Sequence, residues 1–213
     1  MPGIYLHIPF CRQACHYCDF HFSTSLKAKD DFLYALQAEI NIQRNYFATG
    51  SLPTADNKLQ TIYFGGGTPS LLSGEEIKSI LDTIRKKFIV DDDAEITLEA
   101  NPDDLTTAQS KTLRDAGINR LSIGIQSFDD ADLKWMNRVH TSARAIESVK
   151  YAQDRGFDNI TIDLIYGTPL LSDEQWKKNL EIAFALNVQH LSCYALTVEP
   201  RTALAHLIAE KKQ

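Results

Sequence analysis

Long apolar runs are missing from this sequence. No stretch of its 213 residues approaches the roughly 20 consecutive apolar side chains of a membrane-spanning helix, so no transmembrane segment is read. The N-terminus, MPGIYLHIPF, has neither a basic segment nor a long apolar stretch ahead of a cleavage site. No signal peptide is read, and a cytoplasmic location is expected. Basic clusters are missing too. The 22 Lys+Arg are scattered among 28 Asp+Glu, and the formal net charge of −6 disfavours a nucleic-acid surface. Low-complexity tracts are absent. Cysteine is scarce, with only Cys11, Cys15, Cys18 and Cys193. What remains is an ordinary globular composition in a chain long enough for one domain with a sizeable core.

What is present is a rhythm of short β-rich segments and amphipathic helices. Strands are predicted at Ile4–Phe10, Thr61–Phe64, Glu95–Ala100, Arg120–Gln126, Asn159–Tyr166 and His190–Thr197, and their β-branched and aromatic residues suit buried parallel strands. Ile77, Ile80, Leu81, Ile84 and Phe88 recur at helical spacing. Ser73 with Glu76, Thr106 with Gln109 and Ser172 with Gln175 have capping-box spacing at three helix starts. Gly117 and Gly156 stand where helix C-caps are expected, and further helices are read near Asp30–Asn45 and Ala143–Arg155. The segment Gly50–Lys58 reads as a polar loop. Thr202–Lys212 reads as the start of another helix, at which the sequence stops, so the chain is read as the front part of a longer protein.

Six β-then-α units imply α/β architecture, either a doubly wound sheet or a barrel. Chemistry-bearing residues close nearly every strand: Cys11, the Gly65–Gly67 run, Glu99, Gln126, Asp163 and Thr197. A barrel brings all such ends to one mouth, whereas an open sheet gathers ligands only at a switch point. Six strands are too few for the eight-stranded form. A parallel (β/α)6 partial barrel of TIM type is therefore expected, filling residues 1–213 as one domain.

The segment CRQACHYC has the spacing C-x3-C-x2-C. In a reducing compartment such crowding indicates metal binding rather than disulfides. Soft thiolates suit an iron–sulfur cluster or zinc. A four-iron cluster usually takes four cysteines, so three would leave one iron open to an outside ligand. A structural zinc site would recruit His21 or His16 as its fourth ligand. Cys193, inside an apolar strand, reads as a small buried hydrophobe.

C-x3-C-x2-C after a first strand, with a glycine run after the second, resembles the radical S-adenosyl-L-methionine (SAM) superfamily. IYLHIPFCRQACHYCDF, YFGGGTPSLLS, EITLEANPDDL, LSIGIQSFDD, NRVH and IDLIYGTP narrow the resemblance to the oxygen-independent coproporphyrinogen III oxidase-like family. Its oxidase branch carries a further cysteine two positions after the third, where this chain has Phe20. The Cys18-Asp19-Phe20 ending is similar to the HemW-type heme chaperone branch. That branch has a C-terminal region associated with heme handling, beyond the point where this sequence stops.

The resemblance implies a [4Fe-4S] cluster on Cys11, Cys15 and Cys18, with SAM chelating the open iron. An electron from the cluster would cleave a sulfonium C–S bond to give a 5′-deoxyadenosyl radical. It implies SAM contacts at Tyr5, Tyr17, Gly66, Gly67, Thr68, Glu99, Gln126, Arg138, Asp163 and Thr197, of which Arg138 would pair with the SAM carboxylate. The implied partners are heme or a porphyrinogen, a hemoprotein acceptor and an electron donor for the cluster. Heme would be cargo in the chaperone branch; in the oxidase branch, coproporphyrinogen III would be converted to protoporphyrinogen IX. No residue is assigned a catalytic role. His7 reads as a neighbour of the cluster or a packed strand residue. His140, His190 and His206 read as satisfied within the protein rather than as heme ligands.

Overall fold

Strands form where β-branched and aromatic residues alternate with polar ones. The computed structural model describes residues 2–46 and 58–210. Strands β1 (Gly3–Ile8), β2 (Leu59–Gly66), β3 (Val90–Ala100), β4 (Arg120–Gln126), β5 (Asn159–Tyr166) and β6 (His190–Ala195) make one sheet. They are all parallel and lie side by side in chain order. This order has no reversal and hence no switch point, so the doubly wound alternative falls and the (β/α)6 partial-barrel arrangement stands. β1 stops before Pro9, which has no N–H for the ladder. Phe10 keeps only an isolated bridge to Ser23.

Among the described residues seven α-helices connect or follow the strands: α1 (Lys29–Ile42), α2 (Gly74–Lys87), α3 (Thr107–Ala116), α4 (Asp130–Trp135), α5 (Ser142–Gln153), α6 (Asp173–Ala185) and α7 (Ala203–Ala209). Two expected capping boxes are complete. The Ser73 hydroxyl accepts the Glu76 N–H at 3.1 Å while Glu76 Oε2 accepts the Ser73 N–H at 2.7 Å, and Ser172 with Gln175 repeats the exchange. The third is half a box. Thr106 caps the Gln109 N–H, but the Gln109 amide donates to the Leu72 carbonyl at 3.2 Å. Gly117 ends α3 in the left-handed conformation, with φ 107°. α5 ends at Gln153, so Gly156 falls in the turn beyond it rather than at the cap. α4 was not foreseen in the sequence: it is a single short helix capped by Asp129. Of the expected Gly50–Lys58 loop only Lys58 is among the described residues, and Lys211 and Lys212 of the final expected helix lie outside them.

The core lies between the sheet and its helices. Ile62, Phe64, Ile96, Leu98, Leu121, Ile123, Ile125, Ile160, Ile162 and Leu164 are buried with Ile77, Ile80, Leu81 and Ile84 of α2, Leu113 of α3 and Val149 of α5. Full burial of each large side chain is worth about 1.5–3 kcal/mol. The intervening strand residues are polar: Tyr63, Thr97, Glu99, Arg120, Ser122, Thr161 and Asp163. The strands are thus not apolar on both faces, as expected of buried parallel strands, because the other face carries polar residues, of which Glu99, Ser122 and Asp163 line a cavity. Cys193 also departs from expectation. It is exposed, since β6 is the last strand of the sheet and most of its residues are only lightly covered.

Candidate functional site

The C-terminal strand ends open on a cavity of about 430 Å³, within the range of small-molecule sites. The loop after β1 brings Cys11, Cys15, Tyr17 and Cys18 to its wall. The turn after β2 brings Gly66, Gly67 and Thr68. Glu99 comes from β3, Gln126 from β4, Arg138 from the turn after α4, Asp163 from β5 and Thr197 from the segment after β6. Tyr5 is the one expected SAM contact outside the lining. Its ring stacks on Tyr63, with centroids 5.8 Å apart, and is largely exposed.

Each cysteine sulfur faces a hydrogen-bond donor. Thr68 Oγ1 donates to Cys11 Sγ at 3.4 Å, and Arg138 Nη1 donates to Cys15 Sγ at 3.3 Å. The Phe20 N–H serves Cys18. Burial pushes the Cys11 thiol up, and it pushes Cys18 up to about 11, with the neighbouring cysteines adding to the effect. Metal binding at this loop must therefore displace protons. A zinc ion would need its ligands gathered about one point. The His16 ring donates instead to the Trp135 carbonyl at 2.8 Å, and no three His, Cys, Asp or Glu side chains converge on a single-ion site among the described residues. In a cuboidal cluster each thiolate binds a different iron, so the thiols need not converge. Donors on the sulfurs are the surroundings that such clusters use to tune their electronics.

The cysteine loop is clamped from far along the chain. Asn137 follows α4 with φ 60°. Its Oδ1 accepts from Gln13 Nε2 at 2.7 Å, its Nδ2 donates to the Ala14 carbonyl at 2.7 Å, and its own carbonyl accepts from Gln13 at 2.9 Å. The Met136 carbonyl accepts the His16 N–H, and the His16 carbonyl accepts the Leu204 N–H. Tyr17 packs against the small buried cluster of Leu133, Met136 and Ile165.

Glu99 Oε1 accepts from Tyr63 Oη at 2.9 Å, and Oε2 accepts the Gly66 N–H at 3.1 Å. Burial raises its carboxyl above the ordinary range, and Asp163 adds to that. Asp163 is raised mainly by burial as well. It has the partners that a buried carboxylate needs, because Ser122 donates to Oδ2 at 3.3 Å and Ser192 donates too. Gln126 has φ 70° beside a register shift in β4, an uncommon conformation for a non-glycine residue. Gly66 and Gly67 are fixed first by packing. A β-carbon would lie 2.6 Å from the His7 ring at Gly66 and 2.7 Å from the Phe10 carbonyl oxygen at Gly67. Arg138 is half-buried, with Nη2 donating to Asn101 Oδ1 at 2.7 Å and to the Gly124 carbonyl at 2.8 Å. His7 donates to the His21 carbonyl, and His140 is buried against the Ile125 carbonyl.

The family model "Radical SAM superfamily" matches residues 5–183. The chain belongs to the radical SAM superfamily. Membership implies a [4Fe-4S] cluster and SAM, and the three thiols with their donors suit the cluster. The chain is 40% identical over 210 residues to the heme chaperone HemW of Mycobacterium tuberculosis, covering 97% of this chain and 52% of that protein. It is 39% identical to HemW of Bacillus subtilis, covering 98% and 54%. Among solved structures it resembles coproporphyrinogen III oxidase (HemN) of Escherichia coli, a radical SAM enzyme. The TM-score is 0.84 at 30% identity, over 96% of this chain and 46% of that one. The chain thus spans about half the length of the curated relatives it matches. The radical SAM fold also explains residues that motif reading passed over. Tyr63, Asn101, Ser122 and Asn137 carry site hydrogen bonds. Two of them, Tyr63 and Ser122, were signalled by the alternation of polar and apolar residues along β2 and β4.

Proposed function

We propose that this chain is the radical SAM core of a heme chaperone, which binds heme and delivers it to hemoproteins. The observation that carries the reading is Phe20. It stands where the oxidase branch has a further cysteine, lines the same cavity as the three thiols, and is 66% exposed. The identity to HemW proteins over nearly the whole chain supports the same branch. Residues 1–213 make up the core domain, and the remainder of a HemW-length protein would contribute to heme handling.

Cys11, Cys15 and Cys18 hold the [4Fe-4S] cluster in this reading, which supplies the electron for cleavage of SAM. Tyr17, Gly66, Gly67, Thr68, Glu99, Gln126, Asp163 and Thr197 surround SAM, with Tyr5 acting from beside the cavity. Glu99 and Asp163 offer carboxylate oxygens to cationic or hydroxyl groups. The Arg138 guanidinium neutralises charge at the thiolates and leaves its Nε side for a carboxylate. An electron donor in the reducing cytoplasm would serve the cluster.

The test is anaerobic reconstitution of the protein with iron and sulfide, followed by addition of heme, with coproporphyrinogen III turnover assayed in the same samples. Heme bound at a fixed ratio without turnover is the expected result. Conversion to protoporphyrinogen IX would overturn the chaperone reading in favour of the oxidase.

A further inference from the structure

Asn101 follows β3 and precedes Pro102. Its backbone is anchored independently of its side chain: the Asn101 N–H donates to Ser70 Oγ at 3.2 Å, and Ser70 Oγ donates to Asp104 Oδ2 at 2.7 Å. Asp104 is held in turn by Arg12 at 3.0 Å. The side chain is therefore delivered to the cavity wall in a fixed place. Its two ends do opposite work. Nδ2 donates to Thr68 Oγ1 at 3.2 Å, and Oδ1 accepts from Arg138 Nη2 at 2.7 Å.

Those two neighbours are the donors on two of the three sulfurs. The Thr68 hydroxyl has one proton. With a lone pair engaged by Asn101, that proton points at Cys11 Sγ. The Arg138 guanidinium is planar and rigid. With Nη2 fixed between Asn101 Oδ1 and the Gly124 carbonyl, Nη1 faces Cys15 Sγ. An amide, with a donor at one end and an acceptor at the other, serves both. A carboxylate would repel the lone pairs of Thr68 or recapture its proton, and an aliphatic side chain would serve neither.

We propose that Asn101 is the positioning residue that aims these two donors at the sulfurs of Cys11 and Cys15, and that through them it sets the reduction potential of the cluster. The inference rests on the cluster assignment above. Donors on cluster sulfurs stabilise the more negative, reduced state and raise its potential. Losing the aim of both donors lowers it.

The test compares wild type, Asn101→Ala, Thr68→Val and the double variant. Each is reconstituted anaerobically, matched for iron and sulfide per chain, and titrated electrochemically with the electron paramagnetic resonance signal as readout. Asn101→Ala is expected to lower the reduced-to-oxidised ratio at fixed potential roughly tenfold, about 59 mV for a one-electron couple. The shift should be smaller when Thr68→Val is already present, because part of the route is then gone. A role confined to folding would alter the melting of the iron-free protein and leave the potential in place. An unchanged potential in Asn101→Ala, or equal shifts with and without Thr68→Val, overturns the proposal. Should Asn101→Ala fail to hold a cluster, Asn101→Asp retains the acceptor for Arg138, and the same comparison is made with it. Its shift must again be larger with Thr68 intact, and equal shifts overturn the proposal. Wild type that assembles no four-iron cluster would instead overturn the cluster assignment itself.

Discussion

Lowering the pH should destabilise this fold through one histidine, and replacing His140 with glutamine should remove that part of the effect. The His140 side chain is fully buried. Its Nε2 lies 2.9 Å from the Ile125 carbonyl, which can only accept, so Nε2 carries the proton. Nδ1 has no hydrogen-bond partner. Asp103 stands 3.9 Å away, too far for a hydrogen bond, and its own carboxyl is raised by burial. Burial, aided by the Arg138 charge, lowers the imidazole pKa to about 4. In the unfolded chain it should titrate near the ordinary value of about 6.5. Between those values the unfolded state binds a proton that the folded state does not, so stability falls as pH falls through the window. The whole loss is about 3 kcal/mol by pH 4, and about 2 kcal/mol is already lost at pH 5.

For a domain of this size that is a drop in melting temperature of roughly 4–8 °C at pH 5. Carboxyls raised by burial, such as Glu99, Asp132 and Asp163, act in the opposite direction, because the folded state takes up their protons first. The useful quantity is therefore the difference between wild type and His140→Gln. Glutamine keeps a donor for the Ile125 carbonyl and does not titrate. Melting curves from pH 7.5 to pH 4.5 should diverge, with wild type losing more. Parallel curves would refute the argument, as would a nuclear magnetic resonance titration placing the folded His140 near 6.5.

Other consequences can be measured separately. Asn137→Gly keeps the left-handed backbone but removes the side-chain bonds to Gln13 and Ala14. It should speed iron loss to a chelator roughly tenfold, whereas Asn137→Ala should lose about a further 1 kcal/mol of stability from its β-carbon at positive φ. Gly67→Ala puts a methyl 2.7 Å from the Phe10 carbonyl oxygen and 2.9 Å from that of Ile8. It should cost about 1–3 kcal/mol in chemical denaturation even without cofactor. SAM affinity, measured calorimetrically, should weaken as pH falls through the raised titration of Glu99, since a cation binds its ionised form. Glu99→Gln should flatten that dependence, and an unchanged pH profile in the variant would refute the role.

The strand bounds of β4 and β5 and two of three capping boxes were legible because each rests on a local pattern. So were the residues at the cavity, because the C-terminal ends of parallel strands in chain order must converge. Three things were not legible. α4 is too short to show helical periodicity, and its cap at Asp129 looks like any acidic turn. Cys193 has apolar neighbours, and only the strand order reveals it as part of the exposed last strand. Asn101 stands within a motif quoted whole, yet its importance comes from Thr68 and Arg138, which are remote in sequence and meet it only in three dimensions. Sequence reading named the three cysteines and nine further residues that line the cavity, together with Tyr5, which lies outside the lining. It missed the neutral groups that aim them.

That division follows from how the inner face is built. Low on the sheet, Arg120 donates to Glu95 at 3.0 Å, to Thr97 at 3.4 Å and to Thr161 at 2.9 Å, so charge there is neutralised within the protein and ties β3, β4 and β5 together. Nearer the mouth, the hydrogen-bond partners change character. Glu99 is bonded to a phenol and a backbone N–H, and Asp163 to two hydroxyls. Neutral donors hold a carboxylate in place without cancelling its charge, and burial raises both groups because that charge is incompletely compensated. Such an arrangement stabilises a bound cation more than it stabilises the empty fold. The cysteine loop has its own charged neighbour, since the half-buried Arg138 guanidinium donates to Cys15 Sγ and its charge also acts on Cys11. The carboxylates thus favour a bound positive charge, while the Arg138 guanidinium offsets part of the cost of ionising the Cys11 thiol, which burial otherwise holds protonated.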